Sequence, residues 1–71
     1  MKLENIAIHE LKEDFEGVQF THKHNEYMYF IDESGTTIRG EVFWSETIGK
    51  HGITLEQYNK GWREITTIHV L

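Results

Sequence analysis

Residues 26–44 read EYMYFIDESGTTIRGEVFW, and this stretch carries the clearest structural signal in the sequence. Residues 27–31 are aromatic or β-branched apart from one methionine, and the strand-forming pattern resumes over residues 37–44. Between the two runs, Asp32-Glu33-Ser34-Gly35 fits a three-residue hairpin loop, because aspartate favours the first position of a type I turn and glycine supplies a left-handed conformation at the fourth. The sequence therefore predicts a β-hairpin that turns at these four residues.

The predicted turn also fixes which residues face each other. If Asp32 lies opposite Thr36, then Phe30 pairs with Ile38 on one face of the sheet, and Tyr29 pairs with Arg39 on the other. The first face is predicted to form the core, and it carries Met28, Phe30, Ile38, Val42 and Trp44. The second face is mixed, and it carries Tyr27, Tyr29, Ile31, Thr37, Arg39, Glu41 and Phe43.

Upstream of the hairpin, apolar residues fall at helical spacing from Leu3 to Phe15, and Gly17 is placed to end a helix. A short strand over residues 5–11 is the competing interpretation, because Ile6 and Ile8 would then share a face. Residues 18–22 alternate apolar and polar side chains and predict a strand, which a tight turn over residues 23–26 would join to the hairpin.

Downstream of the hairpin, residues 45–52 contain two glycines and predict a loop. Thr54-Leu55-Glu56-Gln57 resembles a capping box, which predicts a short helix that Gly61 ends. Residues 65–71 are rich in β-branched side chains and predict a final strand. The predicted fold class is α+β: an N-terminal helix, a three-stranded antiparallel meander, a short helix and a C-terminal strand, in one small domain spanning residues 1–71.

A chain of 71 residues has room for a single core, and a core of this size rarely supplies more than about 3 to 5 kcal/mol of net stability. The chain has no cysteine, which favours a reducing compartment and excludes disulfides and thiolate zinc sites. The first six residues lack the apolar run of a signal peptide, and no stretch approaches the roughly 20 apolar residues of a membrane helix. We therefore expect a cytoplasmic protein that does not bind a membrane.

The net charge of −5 lies entirely in the first half of the chain. Residues 1–33 hold eight acidic and three basic side chains, whereas residues 34–71 hold four of each. Nucleic-acid-binding proteins normally present a basic surface, so this distribution predicts no direct nucleic-acid binding and favours a basic protein partner. The alternative is a solvated acidic surface that only keeps the protein soluble.

Two groups of residues are candidate partner-binding sites. In the acidic segment, Glu13, Asp14 and Glu16 would present negative charge beside an apolar helix face, a surface that could occupy the basic groove of a nucleic-acid enzyme; an ordinary amphipathic helix is the alternative. On the second hairpin face, Tyr27, Tyr29, Arg39 and Phe43 are of types enriched at energetically important interface positions. Another element of the chain, a partner, or a second copy in a homodimer could cover that face.

A third cluster, His22, His24 and Glu26, would share a strand face if the chain were extended there, and two imidazoles with a carboxylate could hold a divalent cation such as zinc. A turn over residues 23–26 would separate them. His9, His51 and His69 form no spaced metal motif. Ser34 and Ser45 lie in no nucleophile elbow, and residues 49–52 lack the remaining positions of a phosphate-binding loop.

These patterns predict a small acidic, non-enzymatic protein-interaction module that needs no cofactor and acts as an adaptor or inhibitor of a larger protein, such as a nucleic-acid-processing enzyme. The first alternative is a small-ligand or divalent-metal-binding protein that uses His22, His24 and Glu26. The second is an enzyme subunit whose site assembles only in an oligomer.

Overall fold

One helix precedes five strands in the computed structural model, which describes residues 2–70. The strands form one antiparallel sheet in which each is hydrogen-bonded to the next along the chain. The predicted fold class is therefore wrong, because the domain is mostly β and contains a five-stranded meander with no second helix among the described residues. The elements are α1 (Leu3–Leu11), β1 (Gln19–His24), β2 (Tyr27–Ile31), β3 (Thr37–Ser45), β4 (Lys50–Tyr58) and β5 (Trp62–Val70).

The hairpin of β2 and β3 is confirmed in the predicted register. Phe30 pairs with Ile38, and Tyr29 pairs with Arg39. Gly35 has a φ of 89°, and the backbone N–H of Asp32 donates to the carbonyl of Thr36 at 3.2 Å. The local turn chemistry thus positions both faces of the two central strands.

The Asp32 carboxylate organises this turn. Its Oδ1 accepts hydrogen bonds from the backbone N–H and the hydroxyl of Ser34, at 3.0 and 2.8 Å, and from the backbone N–H of Thr36 at 2.8 Å. The hydrogen bond from the Ser34 hydroxyl, with those from backbone N–H groups, outweighs desolvation and lowers the pKa of Asp32 from its ordinary value of 3.8.

Replacing Asp32 with asparagine should make the free energy of unfolding less dependent on pH in the acid range. A carboxyl group whose pKa is lowered in the folded state stabilises the fold above its unfolded pKa, and this contribution is lost as pH falls through the folded value. Urea unfolding at about pH 7 and about pH 3 should show a larger acid-induced loss of stability in the wild type than in Asp32→Asn. Equal losses would contradict the role given to this carboxylate.

The predicted loop over residues 45–52 is confirmed only at residues 46–49, which form a turn, and the region from residue 50 through most of the predicted short helix forms β4 instead. Ile53 and Leu55 are fully buried on the core face, where they pair with Val42 and Gly40 of β3. Thr54 and Glu56 point to the other face, so the capping-box pattern is in fact the alternation of a strand that is half buried. Two turns, each with a glycine of positive φ (Gly49, 72°, and Gly61, 124°), join β4 to its neighbours.

The predicted N-terminal helix is confirmed, and the competing strand is wrong. The helix is shorter than expected, because α1 ends at Leu11 and Phe15 follows in an irregular segment that packs against the core. The first strand is also displaced: β1 runs to His24, and the turn that follows it is confined to Asn25 and Glu26. No helix in residues 2–70 is long and apolar enough to cross a bilayer.

The core lies between α1 and one face of the sheet. As predicted, Met28, Phe30 and Ile38 are buried in it, and Val42 packs against it from a half-buried position. Trp44 was predicted to join them but is 54% exposed, because it lies near the end of β3, where its ring packs edge-on against His51. The buried residues are Ala7, Leu11, Val18, Met28, Phe30, Ile38, Ile53, Leu55 and Val70.

Candidate functional site

The sheet face opposite α1 is the candidate site. The helix residues Ala7 and Leu11 are buried against the core face, and within residues 2–70 there is no second helix to cover the other side. Side chains that alternate with the core residues therefore project from this uncovered face. We call it the open face, and define it by Tyr27, Tyr29, Arg39, Phe43, Glu56, Tyr58 and Trp62.

Arg39 lies at the centre of the open face. Its Cζ is 4.5 Å from the ring centroid of Tyr27 and 4.1 Å from that of Trp62, both within cation–π distance. Its Nε donates a hydrogen bond of 2.9 Å to Oε1 of Glu56, which pairs with Arg39 across β3 and β4. The guanidinium is therefore held in one position by two rings and a carboxylate.

The charge at this centre is fixed as well. Burial favours a lower pKa for Arg39, but the hydrogen bond and charge of Glu56 outweigh it and raise the pKa above its ordinary range. The side chains of Arg39 and Glu56 remain 20% and 21% exposed, so solvent or a partner can still reach the pair. The site thus presents a permanent, preorganised cation whose charge is partly balanced.

Aromatic rings extend from Trp62 in two directions. The Tyr58 ring packs edge-on against Trp62, with centroids 5.3 Å apart. The centroid of the Tyr29 ring lies 6.5 Å from that of Trp62, and the Tyr29 ring stacks on His22, with centroids 4.8 Å apart and 12° between the planes. Trp62 belongs to β5 and Tyr29 to β2, so the Trp62 ring reaches back across the sheet and links its two halves.

Phe43 lies near the far end of β3, where it has different neighbours. Its ring covers Gly52 of β4, where the Cβ of any other residue would overlap the ring. The ring also packs edge-on against His69 of β5, with centroids 6.2 Å apart. Glycine at position 52 therefore lets Phe43 lie flat over the sheet.

The four residues predicted on the second hairpin face do lie together on the open face. Tyr27 and Tyr29 are adjacent, with ring centroids 6.3 Å apart, and Arg39 contacts Tyr27. Phe43 shares the face but belongs to the separate contact with His69. The structure thus groups three of the four residues closely and places the fourth farther along β3.

The acidic segment lies elsewhere. Glu13, Asp14 and Glu16 are exposed, as expected, but they follow the end of α1 and do not lie on it. Glu13 and Asp14 line a groove beside Ile65 and Thr66 of β5, on the helix side of the sheet. The two predicted partner-binding groups therefore belong to different surfaces.

The proposed metal ligands do not converge. His22 and His24 both lie on β1 and pair with Tyr29 and Tyr27, but Glu26 is in the turn that follows. Among the residues that the structure describes, no three histidine or acidic side chains are arranged to hold a metal ion. Instead, the His22 ring stacks on Tyr29.

Sequence reasoning missed three central residues of the open face: Glu56, Tyr58 and Trp62. The misassigned helix over residues 54–60 placed Glu56 and Tyr58 outside the sheet and started the last strand after Trp62. Two signals could have identified them. One is the alternation of Ile53 and Leu55 with polar neighbours, and the other is a short glycine-containing turn before a second β-branched run.

The open face has no serine, threonine or cysteine among its seven defining residues, so no such nucleophile is paired with a base there. It offers flat rings, a fixed guanidinium and the carboxylates of Glu41 and Glu64, which flank the central ion pair in register. Arg39 with Glu56 is the one salt bridge within residues 2–70, so neither flanking carboxylate is neutralised there.

Comparisons with protein-family models, curated proteins and solved structures returned no significant match.

Proposed function

We propose that this chain is a non-enzymatic protein-interaction module that acts as an adaptor or inhibitor of a larger protein and docks through the open face. The observation that carries the proposal is the Arg39 guanidinium, held by Tyr27, Trp62 and Glu56 on a sheet face that no helix of residues 2–70 covers. Tryptophan, tyrosine and arginine are the residue types that most often dominate binding energy at protein interfaces.

Preorganisation supports the same proposal. Binding costs free energy when a flexible side chain must be ordered, and arginine ordinarily loses much rotamer freedom. Here the contacts with two rings and a carboxylate already restrict the side chain, so a partner would bear little of that cost. Glu41 and Glu64 would meet basic groups at the edge of the interface, which agrees with the chain's net charge of −5.

Arg39→Ala and Trp62→Ala are each expected to weaken partner binding by at least about tenfold, which corresponds to a loss of about 1.4 kcal/mol. The chain supplies matched controls in its only other arginine and tryptophan. Arg63→Ala removes the same charge from an exposed position, and Trp44→Ala removes a ring that is 54% exposed away from the site.

The measurement is quantitative affinity capture from the source cells with each variant, followed by titration of the captured protein against the same four variants. Circular dichroism and thermal unfolding establish that each variant is folded. One stoichiometric protein lost with Arg39→Ala and Trp62→Ala, and retained with Arg63→Ala and Trp44→Ala, is the expected result. Equal losses in both pairs would refute the proposed surface.

A second copy of the chain is the alternative occupant of the open face. In that case the wild type would sediment as a dimer, and Trp62→Ala would sediment as a monomer. Sedimentation of the free protein therefore distinguishes self-association from binding to another protein.

A further inference from the structure

The outer edge of β5 is a second surface with binding capacity. β5 is the last strand of the sheet and pairs with β4 alone. Residues along an antiparallel strand direct their N–H and C=O groups alternately to the two sides, so the outer side of β5 has backbone groups without a strand partner in residues 2–70. These groups are the ordinary acceptor site for an added strand.

The other edge of the sheet differs. β1 has six residues, and its pairing with β2 is interrupted by a bulge at Thr21. Short, bulged edges resist further pairing. β5 has nine residues, with no proline and no lysine among them. Its pairing with β4 shifts register once, opposite Leu55 and Glu56, so residues 66–70 pair regularly. Of the two edges, β5 offers the longer regular stretch to an added strand.

A groove follows the middle of β5 on its helix side. Leu11, Ile65 and Thr66 give it apolar surface, and its volume is about 150 Å³. The rest of its lining consists of three acidic residues, Glu10, Glu13 and Asp14. They lie together because α1 ends at Leu11 and the chain turns there, where the backbone N–H of Glu13 donates to the carbonyl of Glu10 and that of Asp14 to the carbonyl of Leu11. None of these three carboxylates forms a salt bridge within the described residues.

The positions of these acidic residues select the occupant. A strand added to β5 places alternate side chains on the helix side of the sheet, next to the three carboxylates. Basic side chains there would gain charge complementarity, whereas acidic ones would be repelled.

A second copy of this chain is disfavoured by the same geometry. Symmetric pairing of two β5 strands places the two-fold axis near Thr66, the middle residue of the strand. Thr66 lines the acidic groove, so the carboxylates of both copies would be brought toward one another. The charges of the groove therefore favour a basic partner over self-pairing.

We propose that the β5 edge binds an extended basic segment of a protein partner by strand addition, with lysine or arginine side chains facing Glu10, Glu13 and Asp14. This site lies apart from the open face, and its existence does not depend on the function proposed for that face.

The test is an NMR titration of the full chain with a nine-residue peptide of alternating lysine and valine. Saturable shifts are expected at the amides of β5 and of Glu10, Glu13 and Asp14, together with new protection of β5 amides from hydrogen exchange. Two control peptides should bind much more weakly: one has glutamate in place of lysine, and one has a central proline that removes a backbone donor.

The matched protein variants separate local charge from net charge. Neutralising the groove with Glu10→Gln, Glu13→Gln and Asp14→Asn should weaken binding about tenfold and reduce its dependence on salt. Neutralising three turn or loop carboxylates, with Glu26→Gln, Glu33→Gln and Glu46→Gln, should change binding by less than about threefold.

Several outcomes would overturn the proposal. Binding of the lysine peptide that does not saturate at millimolar concentration would do so, as would equal binding of the glutamate peptide or equal effects of the two triple variants. So would shifts confined to the open face, or a dimer of the free protein in which the β5 amides are already protected. Arg39 lies on β3 and not on β5, so the Arg39→Ala variant should bind the peptide normally, and failure at the open face and failure at the β5 edge are distinguishable.

Discussion

Replacing Phe30 with alanine is expected to unfold most of the protein at 25 °C. The Phe30 side chain is fully buried between the sheet and α1. Its ring packs edge-on against that of Phe20, with ring centroids 5.8 Å apart. Truncation of a buried phenylalanine costs about 3 to 5 kcal/mol, through lost transfer energy and the cavity left behind. A core of this size supplies about the same amount in total.

Urea unfolding followed by circular dichroism checks this expectation, with Ile31→Ala as the matched control. Ile31 follows Phe30 on β2 but faces the other way and is 39% exposed, so its truncation should cost no more than about 1 kcal/mol. If Phe30→Ala stayed within 1 kcal/mol or so of the wild type, the core would not be centred on this ring.

Replacing Leu55 with proline is expected to abolish folding, and it separates the observed strand from the helix that the sequence suggests. Leu55 lies in β4, which is hydrogen-bonded to β3 and β5 on its two sides, so proline removes a ladder hydrogen bond as well as a buried side chain. If Thr54 capped a helix, position 55 would be its first residue, where proline is favoured.

Leu55→Ala isolates the contribution of the side chain. Loss of a buried leucine costs about 2 to 5 kcal/mol, and proline should add the cost of a ladder hydrogen bond whose buried acceptor is left unpaired, about 1 to 3 kcal/mol. Because Leu55→Ala is itself marginal, both variants are best compared by unfolding in a stabilising osmolyte, which strengthens burial. Equal stability of the two variants would favour a helix start at Thr54.

The sequence predicts those parts of the fold that depend on local chemistry. The turn at Asp32 and Gly35 specifies the β2–β3 register by itself, and the apolar stripe from Leu3 to Leu11 is enough to indicate α1. Half of the open face follows from that register, because Tyr27, Tyr29 and Arg39 lie on two strands joined by a local turn.

The other half of the open face depends on pairing between strands, which short patterns do not encode. Residues 54–57 satisfy a capping box and a strand alternation equally well, and burial of Leu55 against Gly40 decides between them. That burial requires β3 to be in place. The position of Trp62 over Arg39 depends in turn on β4, so the central contact of the site could not be derived before the sheet was known.

Docking through the open face is tested by placing a photo-reactive benzophenone amino acid at position 58 in place of Tyr58, and comparing it with the same group in place of Ile48. The two side chains are similarly exposed, at 54% and 50%, but Tyr58 lies on the open face and Ile48 lies in the β3–β4 loop. Irradiation in the source cells should cross-link one specific protein through position 58 and not through position 48, and Arg39→Ala should abolish the product. The same cross-links from both positions, or a specific product from position 48 alone, would contradict docking through the open face.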